Sequence, residues 1–221
     1  MKINVVESVM KANAGVAEAN RRRMREAGVL AVNILSAPGS GKTTLLEKTI
    51  PALKPELRSA VLVGDLQTTR DAERLGGLAA QTTQINTGRG CHLSAAQVAA
   101  GLDSLDLGQV DLVFIENVGN MVCPAAVDLG EHRRVVLLSV PEGDDKVAKY
   151  PTLFQPADLI LLTKMDLAEI LGFDRRQVDE DLATINTSAG RIEFSPKTGL
   201  GMDLWLQWLR EEHRKYSKAR D

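Results

Sequence analysis

The segment SAPGSGKTT, from Ser36 to Thr44, constrains the fold of this chain most, because it joins a short apolar run to a segment of helical period. It follows the P-loop pattern, except that a serine stands at the position of the first glycine. Glycines in such a loop let backbone N–H groups approach phosphates, and the lysine reaches the β and γ oxygens. The phosphate-binding residues predicted from this segment are Gly39, Ser40, Gly41, Lys42, Thr43 and Thr44.

Short apolar runs alternate with helical patterns along the rest of the chain, which predicts βα units around a parallel sheet. The predicted fold is α/β, a three-layer P-loop nucleoside triphosphatase fold with a mostly parallel central sheet flanked by helices. Strands are predicted at residues 29–36, 59–65, 111–117, 133–140 and 157–163, with shorter ones at 82–86 and 191–194. Helices are predicted at residues 42–53, 94–105, 175–185 and 200–214, the last burying Leu204, Trp205, Trp208 and Leu209.

The length of 221 residues suits a single domain, with an N-terminal amphipathic helix at residues 1–28 packed on a P-loop domain at residues 29–221. The first helix lacks the apolar core of a signal peptide, and no later run reaches the ~18 apolar residues of a membrane span. A formal net charge of −2 argues against a nucleic acid or an anionic membrane as partner. These features predict a cytoplasmic protein, whose two cysteines stay free or bind metal.

Two carboxylates follow predicted strands, and ligands of parallel sheets bind beyond the carboxyl ends of the strands. Asp65 is predicted to contact Mg²⁺ or to position the attacking water, and Glu116 to sense the γ-phosphate. Thr43 offers its hydroxyl to the same ion, so that Thr43, Asp65 and Glu116 are the predicted Mg²⁺ ligands. Lys42, Asp65 and Glu116 are the predicted catalytic residues. Asp71 fits a helix N-cap or a solvated acid better than a catalytic role.

The sequence LLTKMDL ends the fifth predicted strand and places Thr163, Lys164 and Asp166 where P-loop GTPases carry an Asn-Lys-x-Asp element. A carboxylate there pairs with the N1–H and N2–H₂ donors of guanine, a donor pair that adenine lacks. The usual asparagine ties this loop to the P-loop, and threonine in its place is expected to loosen the guanine pocket without reversing its preference. Downstream, Ser195 and Lys197 stand where a Ser-Ala-Lys element would back the guanine, with proline replacing the alanine.

Cys91 and His92 are adjacent, and Cys123 follows seven residues after Glu116. Thiolates with an imidazole form a ligand set for Ni²⁺ or Zn²⁺. The spacing alone also fits two small buried hydrophobic residues beside a polar histidine, and three ligands do not close a four-coordinate site. Both interpretations stay open on the residues alone.

Seven segments together resemble the nickel-incorporation GTPases of hydrogenase maturation, the HypB family. They are SAPGSGKTTL, GDLQTTRDAERL, INTGRGCHL, FIENVGNMVCP, SVPEGDDKVAKYP, KMDL and KTGLGMD, and the likeness extends from about residue 30 to residue 205. The resemblance implies a GTPase of the signal-recognition and MinD-like branch that forms a nucleotide-dependent homodimer. It also implies nickel delivery to a hydrogenase large subunit with a zinc-containing partner chaperone, and it makes Cys91, His92 and Cys123 metal ligands near the dimer interface.

By the same resemblance, Leu167 and Leu171 belong to the dimer surface, although a buried helix face explains their spacing as well. The chain has neither the N-terminal cysteine motif nor the His-rich tract of many family members, which predicts no nickel storage. No residue resembles an arginine finger or a water-orienting glutamine, which predicts slow hydrolysis. The alternatives are a sister GTPase of the urease-accessory type and a metal-binding scaffold whose hydrolysis is incidental.

Overall fold

The computed structural model describes residues 2–66 and 68–218, so the outermost residues of the two predicted segments, 1 and 219–221, lie outside the described residues. Within the described ranges, seven strands form one sheet in which every neighbouring pair is parallel. The strands are β1 (Leu30–Ser36), β2 (Ser59–Asp65), β3 (Gln81–Asn86), β4 (Leu112–Glu116), β5 (Arg133–Ser139), β6 (Leu159–Thr163) and β7 (Gly190–Phe194). Their order across the sheet is β3-β2-β4-β1-β5-β6-β7.

Helices cover both faces of the sheet. Alternate residues of β1 face opposite sides, so that Val32 and Ile34 pack in one apolar cluster and Ala31 and Leu35 pack in two others. The helices are α1 (Lys2–Ala27), α2 (Lys42–Leu53), α3 (Arg70–Leu75), α4 (Ala95–Asp103), α5 (Lys146–Lys149), α6 (Pro151–Phe154), α7 (Arg175–Ile185) and α8 (Met202–Lys218). The predicted three-layer α/β fold is confirmed, and its sheet is parallel throughout.

The register of the central strands determines where the functional loops meet. Glu116, the last residue of β4, lies opposite Ile34 of β1 on one side and Val63 of β2 on the other. The chain therefore leaves β1, β2 and β4 at one edge of the sheet. This edge receives the P-loop, Asp65 and Glu116 together.

Helix α8 packs differently from its prediction at one position. Trp205 and Leu209 are fully buried and lie one helical turn apart, and the Trp205 indole N–H donates to Thr49 Oγ1 at 2.8 Å. Leu204 is 58% exposed, so the prediction of its burial is wrong. The preceding residue of a helix points about 100° away from the buried stripe, which explains the difference.

Helix α1 packs against the rest of the chain through buried residues in its second half. Ala17 and Met24 are fully buried, and Asn20 Nδ2 donates to the carbonyl oxygens of Ala95 at 2.9 Å and Leu129 at 3.0 Å. The boundary between residues 28 and 29 stays a prediction. No helix in the described ranges is long and apolar enough to cross a membrane.

Gly130, in the loop before β5, lies against α1 and provides a test of this packing. It has φ +92°, and a Cβ there would lie 2.4 Å from the Ala17 carbonyl oxygen. Gly130→Ala is expected to lower the free energy of unfolding in two ways. The alanine must adopt an unfavourable backbone conformation, and the shift of α1 that it requires costs a further ~1–3 kcal/mol. The matched control is Gly172→Ala, at φ +62° with no atom within 4 Å, which carries only the conformational cost of about 1–2 kcal/mol. Urea denaturation measures both, and equal losses would contradict the close packing of α1.

Candidate functional site

The P-loop has the geometry that its glycines predict. Gly39 and Gly41 adopt φ +76° and +101°, a region that side chains rarely enter. Lys42 is buried, and its Nζ donates to Ser36 Oγ at 3.1 Å. Burial lowers the pKa of Lys42, against the opposing effect of Glu116 and other nearby acids. Ser36, which stands at the position of the first P-loop glycine, therefore gives Lys42 a hydrogen-bond acceptor.

Glu116 is the acid most tightly built into the site. It is 3% exposed, and its Oε1 accepts a hydrogen bond from Thr43 Oγ1 at 2.6 Å. Its Oε2 is buried without a hydrogen-bond partner among the described residues. Burial raises the pKa of Glu116 to about 7, although Thr43 and Lys42 act in the opposite direction. A buried oxygen in need of a partner, beside a hydroxyl, fits a hard cation such as Mg²⁺.

A cavity of about 390 Å³ lies beside the P-loop and suits a small ligand. Its walls include Asp65, Asp71 and Glu116, together with Lys42. Asp71 lies inside α3, whose N-cap is Thr69, so the N-cap interpretation of Asp71 is wrong. The three predicted catalytic residues thus share one cavity with a third acid, Asp71.

Arg74 also lines this cavity, and the sequence analysis missed it. Its guanidinium donates to Glu47 Oε2 at 2.7 Å and to Thr44 Oγ1 at 3.2 Å, and it forms an ion pair with Asp71 at 3.2 Å. These contacts tie α3 to the residue that follows Thr43 in the P-loop. The helical signal of α3 is only six residues long, which explains why no prediction included it.

The loop after β6 is held against the P-loop on the opposite side of β1. Thr163 is buried, and its hydroxyl donates to the Ser40 carbonyl at 2.8 Å. Lys164 has φ +59°, the one positive φ outside glycine in the described residues, and its Nζ donates to the Gly39 carbonyl at 2.7 Å. The threonine hydroxyl thus makes a tie between the two loops, while the expected effect on the guanine pocket stays a prediction.

The two predicted guanine-binding segments meet at Asp166. Its Oδ1 accepts a hydrogen bond from Ser195 Oγ at 2.7 Å, and Lys197 Nζ lies 3.8 Å from Oδ2. The Ser195 hydrogen bond, with a smaller contribution from Lys197, lowers the pKa of Asp166. The carboxylate is therefore ionised and positioned to accept hydrogen bonds from a base.

Cys91, His92 and Cys123 come together at a half-buried position. Their ligand atoms all lie within 4.8 Å of one another, and Cys91 Sγ is 3.6 Å from His92 Nδ1. Interaction with the Cys123 thiol raises the pKa of Cys91, and desolvation adds to the effect. Two cysteines beside an imidazole fit a soft or borderline cation. Both cysteines are half-buried, and their role as metal ligands stays a prediction.

Backbone contacts connect this cluster to the P-loop. The Asn120 N–H donates to the Ser36 carbonyl at 2.8 Å, and Asn120 Oδ1 accepts from the Cys123 N–H at 3.1 Å. A Cβ at Gly119 would lie 2.8 Å from Pro38 Cα, so glycine allows the two loops to touch. The loop that carries Cys123 therefore rests directly on the phosphate-binding loop.

Residues 30–193 match the family described as CobW/HypB/UreG, nucleotide-binding domain. This chain belongs to that family. It is 41% identical to a probable hydrogenase maturation factor HypB from Methanocaldococcus jannaschii over 207 residues, covering 94% of each chain. It is 44% identical to the hydrogenase maturation factor HypB of Escherichia coli K12 over 207 residues, covering 94% of this chain and 71% of that protein.

Solved structures of the CobW/HypB/UreG family share the fold. The crystal structure of HypB from Helicobacter pylori in complex with nickel matches with a TM-score of 0.88 and 40% identity, over 92% of this chain and 96% of that chain. The predicted resemblance to HypB proteins is thus confirmed. The roles of individual site residues stay predictions, although the structure brings the P-loop, both acids and the cysteine cluster to one edge of the sheet.

The raised pKa of Glu116 predicts a pH-dependent effect on stability. The unfolded carboxyl ionises near pH 4.5 and the folded one near pH 7, so the Mg²⁺-free protein loses stability as pH rises between these values. Glu116→Gln avoids the buried charge and is expected to stabilise the protein by up to about 3 kcal/mol above pH 7, with little effect below pH 4.5. Chemical denaturation across this range is the measurement. Glu169→Gln, at an exposed position, is the control and should keep the pH profile of the wild type.

Proposed function

We propose that this chain is a GTP-hydrolysing metallochaperone that assists nickel insertion into a hydrogenase large subunit. The observation that carries the proposal is the cluster of Cys91, His92 and Cys123, in which the loop of Cys123 rests on the P-loop. Relatives at 41–44% identity are named as hydrogenase maturation factors, and the Helicobacter pylori relative was solved with nickel. Nickel is the cargo in this proposal, and a zinc-containing partner chaperone is a second proposed partner.

The proposed hydrolytic site uses the edge formed by β1, β2 and β4. Lys42 and the P-loop N–H groups bind the β and γ phosphates, and Asp65 orients the water that attacks the γ-phosphorus. Thr43 and Glu116, with Asp65, would hold Mg²⁺, which when bound neutralises negative charge on the phosphate oxygens. The γ-phosphoryl group then transfers to water as its bond to the β-phosphate oxygen breaks.

The proposed rate of hydrolysis is slow. Arg74 is the basic residue besides Lys42 among those that line the described cavity, but Glu47 and Asp71 already bind its guanidinium. An arginine finger raises the rate by about 10³–10⁵-fold when it is free to contact the transferring group. With Arg74 held by two acids, turnover of the isolated protein should lie well below the ~1–100 s⁻¹ of kinases.

Dimerisation is the proposed link between nucleotide and cargo. Leu171 is 53% exposed and Ile170 is 80% exposed, while Leu167 is partly buried, so this turn offers apolar surface beside the base loop. Three ligands from one chain leave a four-coordinate metal incomplete, and a second chain related by a two-fold axis can complete it. Nucleotide would then change metal affinity, and metal would change nucleotide affinity by the same factor.

Guanine selectivity tests the proposed base pocket. GTP is expected to bind about a hundredfold more tightly than ATP, because adenine leaves the Asp166 carboxylate unpaired at a cost of about 3 kcal/mol. Asp166→Asn should weaken GTP binding by a similar factor and shift the preference toward xanthosine nucleotides. Calorimetric titration measures both affinities. Glu169→Gln makes the same charge change at an exposed site and should leave selectivity unchanged, whereas equal ATP and GTP affinities for the wild type would exclude this pocket.

Metal binding and assembly test the rest of the proposal. His92→Ala is expected to raise the dissociation constant for Ni²⁺ by about 10-fold or more, because one of three ligands is lost. His213→Ala removes another histidine, on α8 and outside the cysteine cluster, and should leave Ni²⁺ affinity unchanged. Sedimentation with GDP and with a non-hydrolysable GTP analogue, each with and without Ni²⁺, measures the mass. If neither the sedimented mass nor the Ni²⁺ affinity changes with the nucleotide, the proposed coupling is refuted.

A further inference from the structure

Asn117 is a buried polar residue that borders the phosphate cavity on one side and the loop of Cys91 on the other. It is 1% exposed and directly follows Glu116. Its Oδ1 accepts hydrogen bonds from the Leu93 N–H at 3.2 Å and the Val118 N–H at 2.9 Å. Because backbone N–H groups only donate, the atom between them must be the amide oxygen, which fixes the orientation of the side chain.

The Leu93 N–H belongs to the loop that carries two of the three metal ligands. Leu93 follows Cys91 and His92 and is fully buried. Its side chain packs so closely on Gly64 that a Cβ there would lie 2.8 Å away. The Cys91 loop is therefore anchored at its C-terminal end by Leu93, through apolar packing on β2 and one hydrogen bond that its N–H donates to Asn117.

At its other end, Asn117 is connected to β1, the strand that leads into the P-loop. Asn117 Nδ2 donates to Asn33 Oδ1 at 3.4 Å, and Asn33 Nδ2 donates to Glu131 Oε1 at 3.1 Å. Arg134 also donates to Glu131, at 2.7 Å. Asn33 is fully buried and Glu131 is 8% exposed, so this row of polar groups lies inside the protein.

A buried row of polar groups costs free energy unless each group has a hydrogen-bond partner. When all are paired, the hydrogen bonds tightly specify the geometry of the row. The Asn117 amide joins the backbone of the Cys91 loop to the backbone that leaves Glu116 toward Cys123. One oxygen atom thus sets the separation of the two loops that bear the metal ligands. A movement of the residue after Glu116 must move the Leu93 N–H or break its hydrogen bond.

We infer that Asn117 is a positioning residue that transmits the state of the nucleotide site at Glu116 to the geometry of the Cys91, His92 and Cys123 cluster. This inference rests on the proposed function, since it assumes that both sites bind their ligands. The amide acts through the positions of two loops and contacts neither metal nor phosphate in this role. Its effect is therefore on the coupling between the two affinities more than on either one alone.

The test compares Asn117→Ala with a control of the same residue type. Asn186 is also buried and hydrogen-bonded by both ends of its amide, to the Phe154 and Ala157 carbonyls and to the Ser188 and Ala189 N–H groups. It lies away from both sites, beyond α7. Asn186→Ala therefore measures what the loss of a buried amide does to the fold alone.

The measured quantity is the coupling factor, the ratio of the Ni²⁺ dissociation constants without and with saturating GDP and Mg²⁺. Calorimetry and the thiolate-to-Ni²⁺ charge-transfer absorption both report it. In the wild type and in Asn186→Ala we expect a factor of about 5 to 150 in either direction. In Asn117→Ala it should fall to near 1, while the Ni²⁺ affinity of the nucleotide-free protein should change by a smaller factor than the coupling.

Each outcome separates this inference from the proposed function. If the wild type binds neither Ni²⁺ nor Zn²⁺ through these ligands, the proposed function fails. If the wild type shows coupling and Asn117→Ala retains it as Asn186→Ala does, only the role of Asn117 is overturned. If Asn117→Ala does not fold, Asn117→Ser provides the second variant, because its hydroxyl lies one bond closer to the main chain and cannot keep the same separation of the loops.

Discussion

The position of β4 between β1 and β2 is the constraint on which the other features of this structure depend. Glu116 ends β4 opposite Ile34 and Val63, so three strands deliver their following loops to one edge of the sheet. The P-loop, the Asp65 segment and the loop toward Cys123 meet there without any long connection. A parallel sheet makes such convergence inevitable, because all its strands end on the same side.

The convergence of these loops brings charged side chains together in a buried position, where the protein itself does not fully compensate their charges. Lys42 and Glu116 are both buried, and burial shifts the pKa of each toward its neutral form. Their mutual attraction does not cancel this effect, since Glu116 Oε2 still lacks a partner among the described residues. Under the proposed function, a polyphosphate and its cation would supply the opposite charges that both groups need. Ligand binding at this edge would then stabilise the fold.

The sequence predicted the strands and the main helices well because their signals are local. Apolar runs and the P-loop spacing are properties of consecutive residues, and Arg175–Ile185 and Lys42–Leu53 were predicted to the residue. The positions that the sequence did not reveal depend on contacts across the chain. Arg74 contacts Thr44 from a six-residue helix, and Asn117, which follows β4, accepts a hydrogen bond from Leu93 in the loop before α4. Similarly, the Thr163 hydroxyl donates to the Ser40 carbonyl, a contact that depends on a distance between two loops that the sequence does not show.

The incompleteness of the cysteine cluster has a physical meaning under the proposed function. Three half-buried ligands hold a metal ion less firmly than a closed tetrahedral site does. A closed site contributes to the free energy of folding and therefore resists release of its metal. A carrier must give up its cargo, so an open coordination position is an advantage. The loop of Cys123 touches the P-loop through Gly119 and Asn120, and a change of nucleotide can therefore alter the spacing of the ligands by small movements. Because coordination geometry is sensitive to displacements of a few tenths of an ångström, such movements are large enough to control metal affinity.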